Sequence, residues 1–291
     1  MHIQLDDRRL QGYIFAFVAA LGYGSASTLG KLALGNAAPI LIAAFASTAG
    51  GLMLFPYKPL AKVRRDRLPL FAAVTLCGAI IGPTLLYSGL RLTSAVSAAL
   101  LSNGELLFTS IIAIAIFKES LSHRQYLASL LVVAGIVSIS TNLDLQAVSL
   151  LGNLTGSLFI LGATLSWGIE NNVVRKLSQR VDPTVMAKWR NVLGGVALLT
   201  LILVSGQSIS IETPTIPYII LSGMIPVGLT TVFLFLALSR IGAVRSLLVF
   251  STGSLFGTVY AHLLLGEPIT WVQGFGGAML FAGIILINRS E

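Results

Sequence analysis

The stretch Gly12-Tyr13-Ile14-Phe15-Ala16-Phe17-Val18-Ala19-Ala20-Leu21-Gly22-Tyr23-Gly24 returns as Gly156-Ser157-Leu158-Phe159-Ile160-Leu161-Gly162-Ala163-Thr164-Leu165-Ser166-Trp167-Gly168. Gly12, Phe15, Ala19, Leu21 and Gly24 recur as Gly156, Phe159, Ala163, Leu165 and Gly168, each 144 positions later. Tyr23 becomes Trp167, Lys31 becomes Arg175 and Pro39 becomes Pro183. Farther on the offset is 148, pairing Pro69 with Pro217, Glu119 with Glu267, Gln125 with Gln273 and Gly135 with Gly283. The chain reads as two copies of one apolar unit, residues 1–143 and 144–291.

Hydrophobic residues make up 55% of the 291 residues and charged ones 10%, against ~25% charged in a typical soluble domain. With mean hydropathy +0.87, such a chain cannot cover its surface in water and belongs in a bilayer. The net charge of +8 is no nucleic-acid signature, because the basic residues sit in short loops between apolar runs, where they set topology. The run Lys58–Arg67 reads as a topology determinant and anionic-lipid contact. The single cysteine, Cys77, excludes an intramolecular disulfide and a cysteine-pair metal site. His2, His123 and His262 are far apart, so the clustered groups of a membrane enzyme are missing. No metal or cofactor is expected. The first apolar run lacks an Ala-x-Ala-like site at its end and reads as a retained span.

Apolar windows of roughly 20 residues give ten expected spans, each long enough for ~30 Å of hydrocarbon. They cover Tyr13–Leu34, Pro39–Phe55, Leu70–Leu90, Ala95–Phe117, Tyr126–Thr141, Gly152–Lys176, Val185–Ser205, Tyr218–Ser239, Ala243–Leu265 and Trp271–Ile287. They are helices, because lipid leaves backbone groups no partner but each other and the runs show no barrel-type alternation. Of the 19 Lys and Arg, all but Lys31 and Arg91 fall on one side of this arrangement. The positive-inside rule then puts both termini in the cytoplasm, with the protein in the cytoplasmic (inner) membrane. Each copy holds an odd number of spans, so the second enters from the opposite face. The expected architecture is an all-α membrane protein of two inverted five-helix repeats. Such repeats build alternating-access carriers that hold solute near the midplane between the halves.

In each half an aromatic-Gly pair and a basic residue mark the first span (Tyr23-Gly24 and Lys31; Trp167-Gly168 and Arg175). A proline opens the next (Pro39; Pro183), with Arg190 in the second half. Ser94-Ala95-Val96-Ser97-Ala98-Ala99-Leu100-Leu101-Ser102-Asn103-Gly104-Glu105 follows, then a Glu after the fourth span (Glu119; Glu267-Pro268), and Ala134-Gly135 or Ala282-Gly283. In this order, over nearly the whole chain, the motifs resemble the drug/metabolite transporter superfamily, EamA type. The resemblance implies an exporter of amino acids, related metabolites or toxic compounds, proton-driven in many members, with peripheral fifth and tenth spans. The partners are a small-molecule substrate and the lipid bilayer, the protein acting as a monomer or dimer. Two departures stand out: Ala46 where Arg190 would correspond, and Glu105-Leu106 where the family has Glu-Pro.

Glu105 falls at the middle of span four, where an ionised carboxylate costs on the order of 3 kcal/mol or more and ionisable groups are functional by default. Ser94, Ala98, Ser102, Glu105, Thr109 and Ala113 recur at helical spacing and read as one small, polar face. Glu105 is therefore expected to contact substrate or carry the coupling proton. Its counterpart in the second copy is Gly253, while Ser27 and Thr28 correspond to Asn171 and Asn172. Tyr23 and Trp167 are read as cavity aromatics or as core packing. Glu170 is a gate or a partner for Lys31, Arg190 or Arg175; Lys31 falls on the opposite side, and a structural ion pair with Arg190 is the plainer alternative. Tyr87, Ser102, Asn103, Asn171, Ser251 and Ser254 are further midspan polar groups, each as suited to bonding helices as to binding ligand. Gly78, Gly82 and Gly89 read as close helix packing, with Gly82-Pro83 as a kink. The expected function is a secondary transporter exporting small organic solutes, amino acids or related metabolites, by alternating access. The alternatives are a carrier of cationic drugs or of sugar or nucleotide derivatives, and, outside that class, a channel or scaffold.

Overall fold

The computed structural model describes residues 7–56, 67–117, 123–141 and 147–288. The basic residues Lys58, Lys62, Arg64 and Arg65, and the Lys118-Glu119 turn, lie outside the described residues. All regular structure among the described residues is helical. The first copy contains α1 (Asp7–Leu34), α2 (Pro39–Met53), α3 (Leu68–Thr75), a π turn (Leu76–Ile81), α4 (Gly82–Leu92), α5 (Ala95–Leu101), α6 (Gly104–Phe117) and α7 (His123–Thr141). The second contains α8 (Ala147–Leu177), α9 (Pro183–Val204), α10 (Ile216–Ser222), a π turn (Gly223–Leu229), α11 (Thr230–Ile241), α12 (Ala243–Phe250), α13 (Gly253–Leu265) and α14 (Trp271–Asn288).

Six described segments are long and apolar enough to cross a membrane: Asp7–Leu34, Leu68–Leu92, Ala95–Ala113, Pro183–Val204, Thr213–Ile241 and Arg245–Leu265. Shorter apolar helices run through Pro39–Met53, Leu130–Ile139 and Trp271–Leu286. The exposed surface is itself apolar. Leu130 is 66% exposed, Leu203 67% and Trp271 95%, which suits hydrocarbon contact and would be costly in water.

Helix starts follow the sequence. Pro39 and Pro183 open α2 and α9, where proline's missing N–H is no loss and its φ is preset. Asp182 accepts from Thr184 N (2.9 Å) and so caps α9.

Two features of the fold depart from continuous spans. Span four is broken at Ser102-Asn103 and span nine at Ser251-Thr252, so each is two helices in series. Ser94 consequently lies outside any shared face with Glu105: it is the N-cap of α5, accepting from Ser97 N, and Gln273 Nε2 donates to it at 3.5 Å. The breaks align Ser102-Asn103-Gly104 with Ser251-Thr252-Gly253. Glu105 therefore matches Ser254, not Gly253; α12 is one residue longer than α5, which changes the offset. Spans three and eight each carry a π turn, and the first ends at Gly82-Pro83.

The packing is interleaved. α1 packs against α11 and α13 of the second copy, and α8 packs against α4 and α6 of the first. α2 pairs with α9 and α7 with α14. Glycines let these backbones meet. A Cβ on Gly24 would lie 2.9 Å from Gly253 O, and one on Gly89 2.8 Å from Gly156 O. In lipid, where apolar burial gives helices little reason to associate, such close van der Waals contact is the main cohesive term.

Candidate substrate site

The interleaving leaves a central cavity of about 60 Å³. At ~10–15 Å³ per water on this scale, it holds several waters but no metabolite-sized solute. Tyr23 of α1, Glu105 of α6, Trp167 and Asn171 of α8, Arg190 of α9 and Phe250 of α12 all line it. Neither α7 nor α14 contributes. Tyr23 forms the aromatic wall. Its ring lies 4.6 Å from Phe250, centroid to centroid, and 6.0 Å from Trp167 in an edge-on arrangement (80°).

Glu170 and Arg190 form the ion pair. Arg190 Nε donates to Glu170 Oε1 at 2.6 Å and Nη2 to Oε2 at 3.0 Å, with both side chains almost fully buried. Nη2 also donates to Gly78 O (2.5 Å), and Nη1 to Asn191 Oδ1 (2.5 Å) and Thr231 Oγ1 (3.3 Å). All five N–H groups of the guanidinium are thus engaged. The bidentate fork fixes its plane and leaves no donor for a solute's carboxylate or phosphate.

The π turn makes this possible. Wider i→i+5 winding releases carbonyls from the helical ladder, and such turns gather at functional sites. Gly78 O takes Trp167 Nε1 at 3.2 Å in addition to Arg190, Cys77 O takes Ser166 Oγ at 2.8 Å, and Ala79 O takes Ser47 Oγ at 3.3 Å. Gly78 and Gly82 are required sterically. A Cβ on Gly78 would overlap the Glu170 carboxylate, and one on Gly82 the Trp167 indole. Their role is close packing, with the specific task of admitting the ion pair and the indole.

Glu105 sits in the first turn of α6, 4% exposed, where the break turns it inward. Asn171 Nδ2 donates to its Oε1 at 2.8 Å. Asn172 instead ties α8 to α6, donating to Thr109 O (3.1 Å). The carboxylate is therefore held by a neutral donor from the other copy, while the cavity's one cation among the described residues is spent on Glu170. Two smaller cavities continue from Glu105, bounded by Asn103, Ser251 and Ser254 and then by Ser27, Ser102 and Ser254. Tyr87 is not brought to this site. It lies 2% exposed against Ser222 (3.5 Å) and joins helices. The sequence reading missed Phe250, Phe235, Thr230, Thr231 and Pro226, all of which line the central cavity. Only Pro226, by its place in an apolar span, carried a signal.

At the end where α1 stops, Lys31 Nζ donates to Leu90 O (2.6 Å) and Thr93 O (2.7 Å), so it is remote from Glu170 as expected. Glu267 is a helix-end charge, but for a distant helix: its carboxylate accepts from Ala95 N (3.1 Å) and Val96 N (3.0 Å) at the start of α5. His262 is exposed beside it.

The profile of the EamA-like transporter family matches this chain twice, over residues 10–141 and 154–289. The chain belongs to that family, within the drug/metabolite transporter superfamily, and is a multi-pass membrane transporter. An uncharacterized transporter of Methanothermobacter thermautotrophicus is 27% identical, aligned over 96% of this chain and 87% of its own length. The uncharacterized transporter YyaM of Bacillus subtilis is 22% identical over 96% and 93%. A chloroplastic WAT1-related protein of Arabidopsis thaliana is 25% identical over 92% of this chain and 67% of its own. The first two of these relatives are named as transporters, not enzymes. A crystal structure at 16% identity superposes with a TM-score of 0.69, covering 97% of this chain and 100% of the other, which bears on fold alone.

Proposed function

We propose that the protein is a secondary transporter that exports small organic solutes, amino acids or related metabolites, across the cytoplasmic membrane by alternating access coupled to protons. The matching breaks, π turns and interleaved packing support ten spans in two inverted repeats, with both termini inside. One observation carries the coupling: a buried carboxyl, Glu105, lies in the wall of the central cavity, bonded across the copies to Asn171. The aromatic wall and the occupied Arg190 favour a solute that presents an ammonium group over a sugar phosphate or nucleotide. The test is uptake of labelled amino acids and organic cations into proteoliposomes, with and without a pH gradient. Gradient-driven, counter-transportable flux that disappears in Glu105→Gln is the expected result. Undiminished gradient-driven flux in that variant would remove Glu105 from coupling, and flux without counter-transport would indicate a pore.

A further inference from the structure

Glu105 lies between two kinds of space. On one side is the central cavity, walled by Arg190, Phe235 and the first π turn. On the other are two narrow cavities of about 10 Å³ each, which lead through the helix breaks to Ser27. Each has room for about one water and nothing larger. They share Tyr23, Ser102 and Ser254, and the nearer also shares Glu105 and Phe250 with the central cavity. Tyr23 lines all three.

Two polar atoms along this line are buried without a partner, Asn103 Oδ1 and Ser27 Oγ, and the Tyr23 hydroxyl faces Glu105 and Ser102 between the cavities. Asn103 and Ser27 are 3% and 4% exposed. A buried polar group left unmet costs ~1–3 kcal/mol, and nearly all such groups bond to protein or to ordered water. Two on one line, each on a residue that walls a water-sized space, point to water as the missing partner. The walls also provide the Ser102, Ser251 and Ser254 hydroxyls, enough for the two to four bonds a buried water makes.

We propose that these two cavities hold waters in single file and carry the proton to and from Glu105, apart from the route of the organic solute. This rests on proton coupling at Glu105. The titratable groups around Glu105 are Tyr23 from α1, Glu170 from α8 and Arg190 from α9; α12 and α13 contribute only the uncharged Leu247, Phe250, Ser251 and Ser254. The file leads towards the end where α1 stops and α5 begins, the side that the charge bias makes external. Lys31 lies one turn beyond Ser27 and is held by Leu90 O and Thr93 O. Tyr23 is the partition: its ring closes the solute cavity and its hydroxyl belongs to the file.

The test is infrared spectroscopy of the protein in liposomes, following deuterium exchange of the Glu105 carboxylic acid band, identified by its loss in Glu105→Gln. Asn103→Leu is expected to slow that exchange at least tenfold. Ser27→Ala removes a hydroxyl that bonds nothing in the protein, so it threatens folding least, and it is expected to slow exchange as well. Wild-type exchange in both folded variants would overturn the file while leaving coupling at Glu105 intact. Absence of any Glu105 acid band, together with gradient-driven flux in Glu105→Gln, would overturn the coupling itself.

Discussion

The two π turns occupy matching places but are held differently. The turn at Leu76–Ile81 is pinned through Cys77, Gly78 and Ala79 by Ser166, Trp167, Arg190 and Ser47, from three other helices. The turn at Gly223–Leu229 is met, among the described residues, by one side chain, Asn191, which donates to Val227 O at 3.3 Å. Ser47 to Ala79 and Asn191 to Val227 are the same bond in the two copies. The rest of the pinning exists only in the first. The π turn occurs in both halves, and the buried charges that lock it occur in one. The second turn is held instead by backbone packing: a Cβ on Gly50 would lie 2.7 Å from Gly223 O.

This contrast can be broken at four points. Glu170→Leu has the largest expected effect, because it strands Arg190 beside the locked turn; removing one partner of a buried pair costs about 3–5 kcal/mol. Thermal unfolding in detergent should show a severe loss, partly recovered in the double variant Glu170→Leu/Arg190→Met. Gly78→Ala comes next. Its Cβ meets the Glu170 carboxylate, and overpacking of this kind costs ~1–3 kcal/mol. The matching Pro226→Ala should stay within ~1 kcal/mol of wild type in the same melt, since no comparable lock surrounds it. Equal losses at the two positions would refute the asymmetry.

Asn191→Ala should exceed Ser47→Ala, although the two make equivalent bonds. Each loses a hydrogen bond worth ~0.5–1.5 kcal/mol, but Asn191 Oδ1 also receives Arg190 Nη1. Urea or guanidinium titration of the paired variants measures the difference. Glu267→Gln comes last, at a half-buried site. It loses the charge, ~0.3–1 kcal/mol, and one of the two accepting oxygens that Ala95 N and Val96 N use, so the melting temperature should fall by an amount that high salt conceals only in part.

The repeat, the helices and the positions of Glu105, Tyr23 and Trp167 were legible because each shows in single-residue chemistry or in periodicity. The Glu170–Arg190 pair was legible because a buried charge in lipid must find its opposite. The breaks were harder. Ser102-Asn103-Gly104 and Ser251-Thr252-Gly253 share a Ser-x-Gly pattern, but neither holds the proline that usually announces a broken helix. Without the break, Glu105 was matched to Gly253 and Ser94 to the wrong face. Phe250, Thr231 and Phe235 were invisible for another reason: they look like any apolar-span residue until the packing of α8 and α11 decides which way they face.

The interleaving has a consequence for biosynthesis. The start of α5 receives its carboxylate cap from Glu267, made long after α5 has left the ribosome. α1, made before either, waits for α11 and α13 before it has its main neighbours. The helices of the first copy therefore stay half-packed until the second copy has been made. Truncation after the first copy should therefore yield a substrate for membrane quality control, and the two copies made as separate chains should be rescued only when expressed together.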